Sequence, residues 1–551
     1  MKKLMACLLT LALLMSFGAV FAEEDLSEHV TVTMWLYPDD YEYYSDYSEN
    51  PVVQYLNGKF NMTMKFQMPP MGSEQDQFNL MLGTKQYTDI FEITYSQDST
   101  AVLYQNGVIR DLAPFVEEYM PNFRAFLEDP ANADVYNALY DPEGHLFTIP
   151  AAVRVPDEII LWGGMVYRRD IIETMTGGYV FFPSGEEEPT TVEDWEYMLE
   201  LMKAYFEAAG FTDYAPLILP SNGYFTTSEL VNGFGAAGDF YVVDDEVKYG
   251  PTTEEFYNNL CKMHEWFEAG YIYKDFASRT GDLFYLPNTA LTYGGAAGIW
   301  FGLSSQLGDL MSIPEYYLFM DVHGLSSPLD VDNGQDGSMS GTMALIGDRA
   351  NSEQSGWVAS TKCSDEALIR FLTMADYLFT EEGGMLTQYG LDTAHGAAEN
   401  KMYAELGISE GSFSYDADGE FQWHPLVDIS GESPLKMIAI NGQRLPGIVM
   451  VKYANESNTQ TTLDANNRWT LYGTANNYPS SAYFSAEESE ILTRNSTAYT
   501  DYLNTMAPKF INGTEELTEE SFAAFVQHMN ELGVEEATQL RQEVYGRYVG
   551  R

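Results

Sequence analysis

Positive charge is what this sequence has least of. Its 551 residues carry 28 Lys+Arg against 82 Asp+Glu, a formal net charge of −54. A phosphate backbone is bound through basic surface that displaces counterions, and an anionic membrane attracts protein by the same means. Nucleic acid is excluded as a partner, and an anionic membrane surface is disfavoured. Cysteine is nearly as scarce, with 3 in the whole chain. Cys7 falls in the N-terminal apolar run, which leaves Cys261 and Cys363. Two cysteines make no disulfide framework, and Cys261 sits in an apolar helical pattern, so two buried thiols are expected. Beyond the N-terminus no segment reaches ~18 uninterrupted apolar residues, so no membrane-spanning helix is expected. Pro/Ser-rich linkers, low-complexity tracts and internal repeats of about 20–50 residues are also missing. Lobes without linkers imply a chain that crosses between them through ordinary strands.

What is present begins with an export signal. Lys2 and Lys3 precede an apolar run from Leu4 to Phe17. Val20-Phe21-Ala22 places small residues at −3 and −1, followed by Glu23-Glu24-Asp25. Residues 1–22 are expected to be a signal peptide cleaved after Ala22, and the protein to be secreted or held at the cell envelope. A lipid anchor needs a cysteine at the end of the apolar run. Cys7 lies in its middle, so there is no lipobox.

Hydrophobic residues at 45% and aromatics at 14% are too plentiful for a disordered acidic polymer. At ~150 residues per domain the length suggests two to four domains. Val30 to Met34 alternates with period two and predicts a strand; Met62–Met68 and Asp89–Ile93 predict two more, with helices over Pro51–Phe60 and Gln75–Leu82 between them. Strands alternating with helices imply a largely parallel α/β sheet. A capping box of Thr190 with Glu193 opens a helix carrying Trp195, Met198, Leu199, Met202, Phe206 and Ala209, stopped by Gly210. Thr252 with Glu255 opens another, carrying Phe256, Leu260, Met263 and Phe267 to Gly270, and Thr518 a third, ending at Gly533.

Catalytic signatures do not survive inspection. Gly233-Phe234-Gly235-Ala236-Ala237-Gly238 matches G-x-G-x-x-G, but a helix-like segment precedes it and the strand-like Phe240–Val243 follows. A dinucleotide site needs the reverse order, so that helix N–H groups meet the pyrophosphate. The seven histidines show no i, i+4 pair for zinc. Asp330 to Gly337 resembles a calcium loop yet lacks glycine at position six and glutamate at twelve, and reads as a solvated turn. No cofactor, metal or catalytic residue is expected.

Aromatics remain: 8 Trp, 39 Tyr and 31 Phe. Most belong in cores. Those at strand ends stand out, because open α/β sheets bind ligands beyond the carboxyl ends of their strands. Trp35 and Tyr37 follow the first predicted strand, and Tyr95 and Ser96 the third. Trp300 lies among Gly294, Gly295, Gly298 and Gly302, after a predicted strand Ala290–Tyr293. Glycines let backbone approach a ligand, and flat rings suit the apolar faces of a neutral sugar.

The chain also resembles a family, in blocks that occur in family order. Leu80-Met81-Leu82-Gly83 with Thr88-Asp89-Ile90-Phe91, Val108-Ile109-Arg110-Asp111-Leu112 with Tyr119-Met120-Pro121-Asn122, and the hairpin Asp141 to Pro150 come first. Tyr167-Arg168-Arg169-Asp170 with Pro189 to Trp195, Trp266 to Ile272, and Glu382-Gly383-Gly384 with Tyr389-Gly390 follow. Lys509 to Gly513, Leu532-Gly533 and Gln542 to Tyr548 close the series. Nearly end to end, the mature chain resembles the bacterial extracellular solute-binding proteins of ABC sugar importers.

That resemblance implies an α/β fold of the periplasmic-binding-protein type II, two lobes joined by crossing strands with a ligand cleft between them. It implies lobes at residues 24–152 plus 345–465 and 153–344 plus 466–551. It implies a monomer that captures a carbohydrate, an oligosaccharide by preference, and delivers it to a membrane permease without chemistry. The expected ligand contacts are Trp35, Tyr37, Tyr95, Ser96, Arg154, Trp162, Tyr293 and Trp300. Arg154, in a crossing segment, is the candidate for meeting a charged ligand. The alternatives are the same fold binding a peptide or another solute, a secreted glycoside hydrolase, and an adhesion or sensing protein.

Overall fold

A computed structural model describes residues 26–36, 46–151, 153–154, 163–219, 230–278, 291–292, 294–303, 307–309, 320–338, 356–424, 442, 444–449, 460–469, 471, 476–479 and 482–550. The chain divides into two compact units, Met1–Pro156 with Ala350–Met450, and Asp157–Arg349 with Val451–Arg551. Each unit holds a five-stranded sheet. In chain order the strands are β1 (Val30–Trp35), β2 (Met62–Gln67), β3 (Ile90–Glu92), β4 (Ile149–Pro150), β5 (Gly163–Arg168), β6 (Ala215–Leu217), β7 (Ala297–Leu303), β8 (Gly308–Asp309), β9 (Asp321–Gly324) and β10 (Gly356–Ala359).

The first sheet runs β2-β1-β3-β10-β4. β1 buries Val30, Val32 and Met34 and pairs in parallel with β2 (Val30 opposite Met62) and with β3 (Met34 opposite Ile90). The helices Pro51–Lys59 and Glu74–Thr84 make the crossovers between them. β10 returns antiparallel to both β3 and β4, so the parallel arrangement stops at three strands.

The second sheet departs further from a parallel reading. Its order is β8-β9-β5-β7-β6, and β5 is antiparallel to both of its neighbours, β7 and β9. Among these pairings only β7 with β6 is parallel. Side chains alternate between two cores as the pleat requires. Met165, Tyr167, Ile299 and Phe301 join one core with Trp195, Met198, Leu199, Met202 and Phe206 of the helix Val192–Ala208. Val166, Trp300 and Val322 join the other, beneath Ala465 and Trp469 of the helix Gln460–Trp469.

Two helix starts lie one residue later than the sequence suggests. Thr191, with Asp194, forms the capping box of Val192–Ala208, and Thr253 caps Glu254–Glu268. Both starts contain a Thr-Thr pair, and the cap falls to whichever hydroxyl reaches the backbone N–H two or three residues on. Although burial works against it, backbone N–H groups of Thr190, Ser184 and Thr191 hold the Asp194 carboxylate below its ordinary pKa. Thr518 caps its helix as expected, and left-handed Gly533 ends the next connection. The predicted strand Ala290–Tyr293 is not one: Leu291 and Thr292 are helical, and the strand begins at Ala297. Cys261 and Cys363 are both free thiols, one in each unit, and burial pushes Cys363 up to about 12.

One polar clamp in the first unit makes its stability pH-dependent. His395 Nε2 lies 2.9 Å from the Glu382 carboxylate, while Nδ1 binds Asp392. This ties the turn Thr393–His395 to the helix Glu381–Tyr389. The bond to Asp392 raises the His395 pKa above its ordinary value, partial burial opposes it, and Glu382 adds to the rise. A raised folded-state pKa contributes stability that is complete below the unfolded value of ~6.5 and fades as pH climbs through the folded one. The Glu382 and Asp392 carboxylates are both lowered, so their share is complete above about pH 4.3 and fades on acidification. His395→Gln should therefore destabilise the protein most between about pH 5 and 6.5, by the ~1.5–3 kcal/mol of a charge-assisted hydrogen bond, and lower its melting temperature most there. The gap from wild type should narrow towards pH 9. Melts across pH check this; a gap independent of pH would show that the imidazole is held neutral.

Candidate functional site

The carboxyl ends of β1 and β3 meet in the first unit. Trp35 ends β1 at 1% exposure, edge-on to Phe78 with ring centroids 5.2 Å apart. Tyr95, three residues past β3, stands edge-on to Trp35 at 6.0 Å and is itself half-buried. Its carbonyl accepts a hydrogen bond from Gln75 Nε2 at 2.8 Å, which fixes the backbone beneath the ring. Ser96 turns its hydroxyl inward: Oγ donates to the Asp98 carbonyl at 2.7 Å and accepts from the Asp98 N–H at 3.2 Å. Behind this edge, Glu92 is closed to solvent, and Arg444 Nη2 donates to its two oxygens at 2.6 and 2.7 Å. Of the four strand-end residues, Trp35 is therefore core, Ser96 is a turn former, and Tyr95 is half-buried. Tyr37 lies outside the described residues.

In the second unit a recess of about 460 Å³ opens between the helix Gln460–Trp469 and strand β9. Its lining includes Glu187, Glu188, His323, Asp464, Asn467 and Arg468. Two glycines let the helix lie close on the sheet. A methyl group on Gly164 would stand 2.5 Å from the Trp469 indole, and one on Gly324 would stand 2.5 Å from Ala465. Trp469 Nε1 donates to the Met165 carbonyl at 2.8 Å and fixes the end of the helix. On the sheet side Tyr167 Oη donates to Glu188 at 2.6 Å and Arg169 Nη1 to its other oxygen at 2.7 Å. Burial, and then the Glu188 charge, push the Tyr167 phenol well above its ordinary pKa, so it stays a donor. His323 Nε2 lies 3.1 Å from Asp321, and that bond lowers the Asp321 pKa.

Among the described residues, none of the expected contacts lines this recess. Trp300 is 2% exposed and belongs to the core under the Gln460–Trp469 helix. Trp162 and Tyr293 lie outside the described residues, and of Arg154 only the backbone is described, paired alongside Val449. The recess was legible only in part. Thr461, Asp464 and Arg468 follow the i, i+3, i+7 spacing of one helical face, but no sequence signal says what that face meets. The Gly233 to Gly238 motif holds a 3₁₀ turn (Asn232–Phe234) and leads into an antiparallel hairpin, Phe240–Val243 with Glu246–Tyr249. Asp330 to Gly337 is a turn in which Asp330 accepts from Asn333 Nδ2 at 2.7 Å and Asp336 from the Ser338 N–H at 2.9 Å.

No family model and no curated protein matches the sequence. Solved structures do match. The HMO-binding, ABC-transporter-associated solute-binding protein of Bifidobacterium longum infantis superposes with a TM-score of 0.71 at 15% identity, covering 94% of this chain and 99% of that one. The alginate-binding protein AlgQ2, solved without calcium ion, gives 0.66 at 15%, covering 96% and 100%. The substrate-binding protein FusA of Streptococcus pneumoniae, in complex with kestose, gives 0.66 at 15%, covering 94% and 99%. The fold is that of the type II periplasmic binding proteins. These three similar structures are binding proteins rather than enzymes. Their identity to this chain is too low to carry a ligand across, so the ligand has to be argued from the chain itself.

Proposed function

We propose that this protein captures an oligosaccharide outside the cytoplasm and delivers it to an ABC permease, acting as a monomer and without chemistry. The observation that carries the proposal is the match of nearly the whole chain to the HMO-binding, alginate-binding and kestose-bound proteins. Two features of the chain support it. Residues 1–22 read as an export signal, and among the described residues no helix is long and apolar enough to cross a membrane. Tyr95 stands at the carboxyl ends of parallel strands, where open α/β sheets hold ligands. We infer that its ring stacks on a sugar.

Calorimetry of the purified protein against neutral and acidic glycans and peptides tests the function. An oligosaccharide should bind without any reducing ends appearing, and at about 100 times its Kd should stabilise the fold by ~2.7 kcal/mol. Release of reducing ends, or binding of peptides in place of glycans, would overturn it. Tyr95→Ala should weaken that glycan by roughly 5- to 150-fold, the ~1–3 kcal/mol of ring stacking. The unliganded melting temperature should fall by only a few degrees, because the ring is only half-buried. Unchanged affinity would remove Tyr95 from the site.

A further inference from the structure

We propose that the recess of the second unit is a subsite for one ring of a neutral sugar, with Arg468 and Asp464 as its specificity-determining contacts. Its volume of about 460 Å³ falls in the roughly 300–1,000 Å³ range of small-molecule sites. Its walls are held rigid from both sides. Gly164 and Gly324 seat the helix on the sheet, and Tyr167 with Arg169 fix the Glu188 carboxylate.

Charge identifies the class of ligand. Arg169 compensates Glu188. Arg468 forms no ion pair and no side-chain hydrogen bond with a described residue, in a chain where acids outnumber bases 82 to 28. It faces the same recess as Glu187 and Asp464. An anionic sugar would meet these carboxylates, and a cationic one would meet Arg468 beside His323. A metal ion is also a poor fit. Among the described residues the group with three ligating atoms within 4.8 Å of one another is Asp141, Glu143 and His145, in the other unit. Dispersed carboxylate acceptors and a guanidinium donor, with Asn467 and Thr461 beside them, suit a polyol, whose hydroxyls donate to carboxylates and accept from a guanidinium. Leu471, half-exposed at the rim, supplies an apolar surface for the C–H face of a ring.

This assignment rests on the oligosaccharide reading above, and its test separates the two. Calorimetry on the full mature chain should use fructo-, malto- and manno-oligosaccharides and an oligouronate, first on wild type and then on Arg468→Gln, Arg468→Lys and Asp464→Asn. A neutral glycan should bind. Arg468→Gln and Asp464→Asn should each weaken it by about tenfold or more, and Arg468→Lys by less, with unliganded melting temperatures near that of wild type. If both variants bind the glycan as wild type does, the recess is no subsite while the oligosaccharide reading stands. If the oligouronate binds more tightly than every neutral glycan, the neutral assignment is wrong. If no glycan of either class binds wild type, both readings fall.

Discussion

Trp300→Ala should destabilise the protein by ~3–5 kcal/mol and leave its affinity for ligand unchanged. At ~2–4 °C per kcal/mol the melting temperature should fall by roughly 6–20 °C. The ring is 2% exposed and points to the face of the second sheet covered by the Gln460–Trp469 helix. It sits opposite Val166 on β5 and shares a core with Met320, Val322 and Trp469. Truncation leaves a cavity that flat strands and a helix seated on glycines have little room to close. Melts with and without ligand decide the matter. A large drop in affinity at an unchanged melting temperature would put the ring at a ligand after all.

The neighbouring glycines explain why the sequence pointed elsewhere. A run holding Gly294, Gly295, Gly298 and Gly302 reads as backbone left open for a ligand. In the fold, Gly298 is where the helix Val192–Ala208 and strand β6 close in: a methyl group there would stand 2.5 Å from Met202 Sδ and 2.7 Å from the Pro216 carbonyl oxygen. Glycine for helix–sheet approach and glycine for ligand approach look the same along a chain. Trp35 shows the same ambiguity in reverse, since a strand-end ring is covered once Phe78 and Tyr95 fold over it.

What the sequence did carry is local. Period-two alternation located β1 and β2 to within a residue or two at each end, because one buried face imposes that pattern, and the short run Asp89–Ile93 located β3, which is buried throughout. Caps and left-handed glycines located helix ends for the same reason: their hydrogen bonds span only a few residues. Sheet direction was harder. Three strands joined by crossover helices are parallel, but β10 enters beside β3 from far along the chain, and β9 and β7 flank β5 antiparallel. The recess is of that kind too, assembled from Glu187, His323 and Arg468 of three distant segments.

The pair of Glu92 and Arg444, 352 residues apart in sequence, is another such case, and its loss should be the second large effect. Arg444→Ala should destabilise the first unit by ~3–5 kcal/mol, the usual result of leaving a buried charge without its partner. Glu92 is 3% exposed and Arg444 23%, so the two truncations are not equivalent. Glu92→Gln leaves a guanidinium that still reaches water, and should cost clearly less than Arg444→Ala. The loss should also depend on pH. With the arginine gone, the Glu92 carboxyl stays buried beside the neutral Thr94 hydroxyl, which donates to it at 3.0 Å, and burial raises its folded pKa above the unfolded ~4.3. A raised pKa means stability present below the unfolded value and lost as pH rises through the folded one. Arg444→Ala should thus stand closest to wild type near pH 4 and furthest from it at pH 8. Replacing both residues, Glu92→Leu with Arg444→Met, should recover much of the loss, because a buried pair exchanged for apolar side chains is often neutral. Denaturant melts of the three variants at pH 4 and pH 8 test this. A deficit in Arg444→Ala that stays the same at both pH values would mean that the loss comes from the packing of the arginine stem and not from its charge, since the backbone carbonyl that accepts from Trp357 Nε1 at 2.9 Å is kept by alanine.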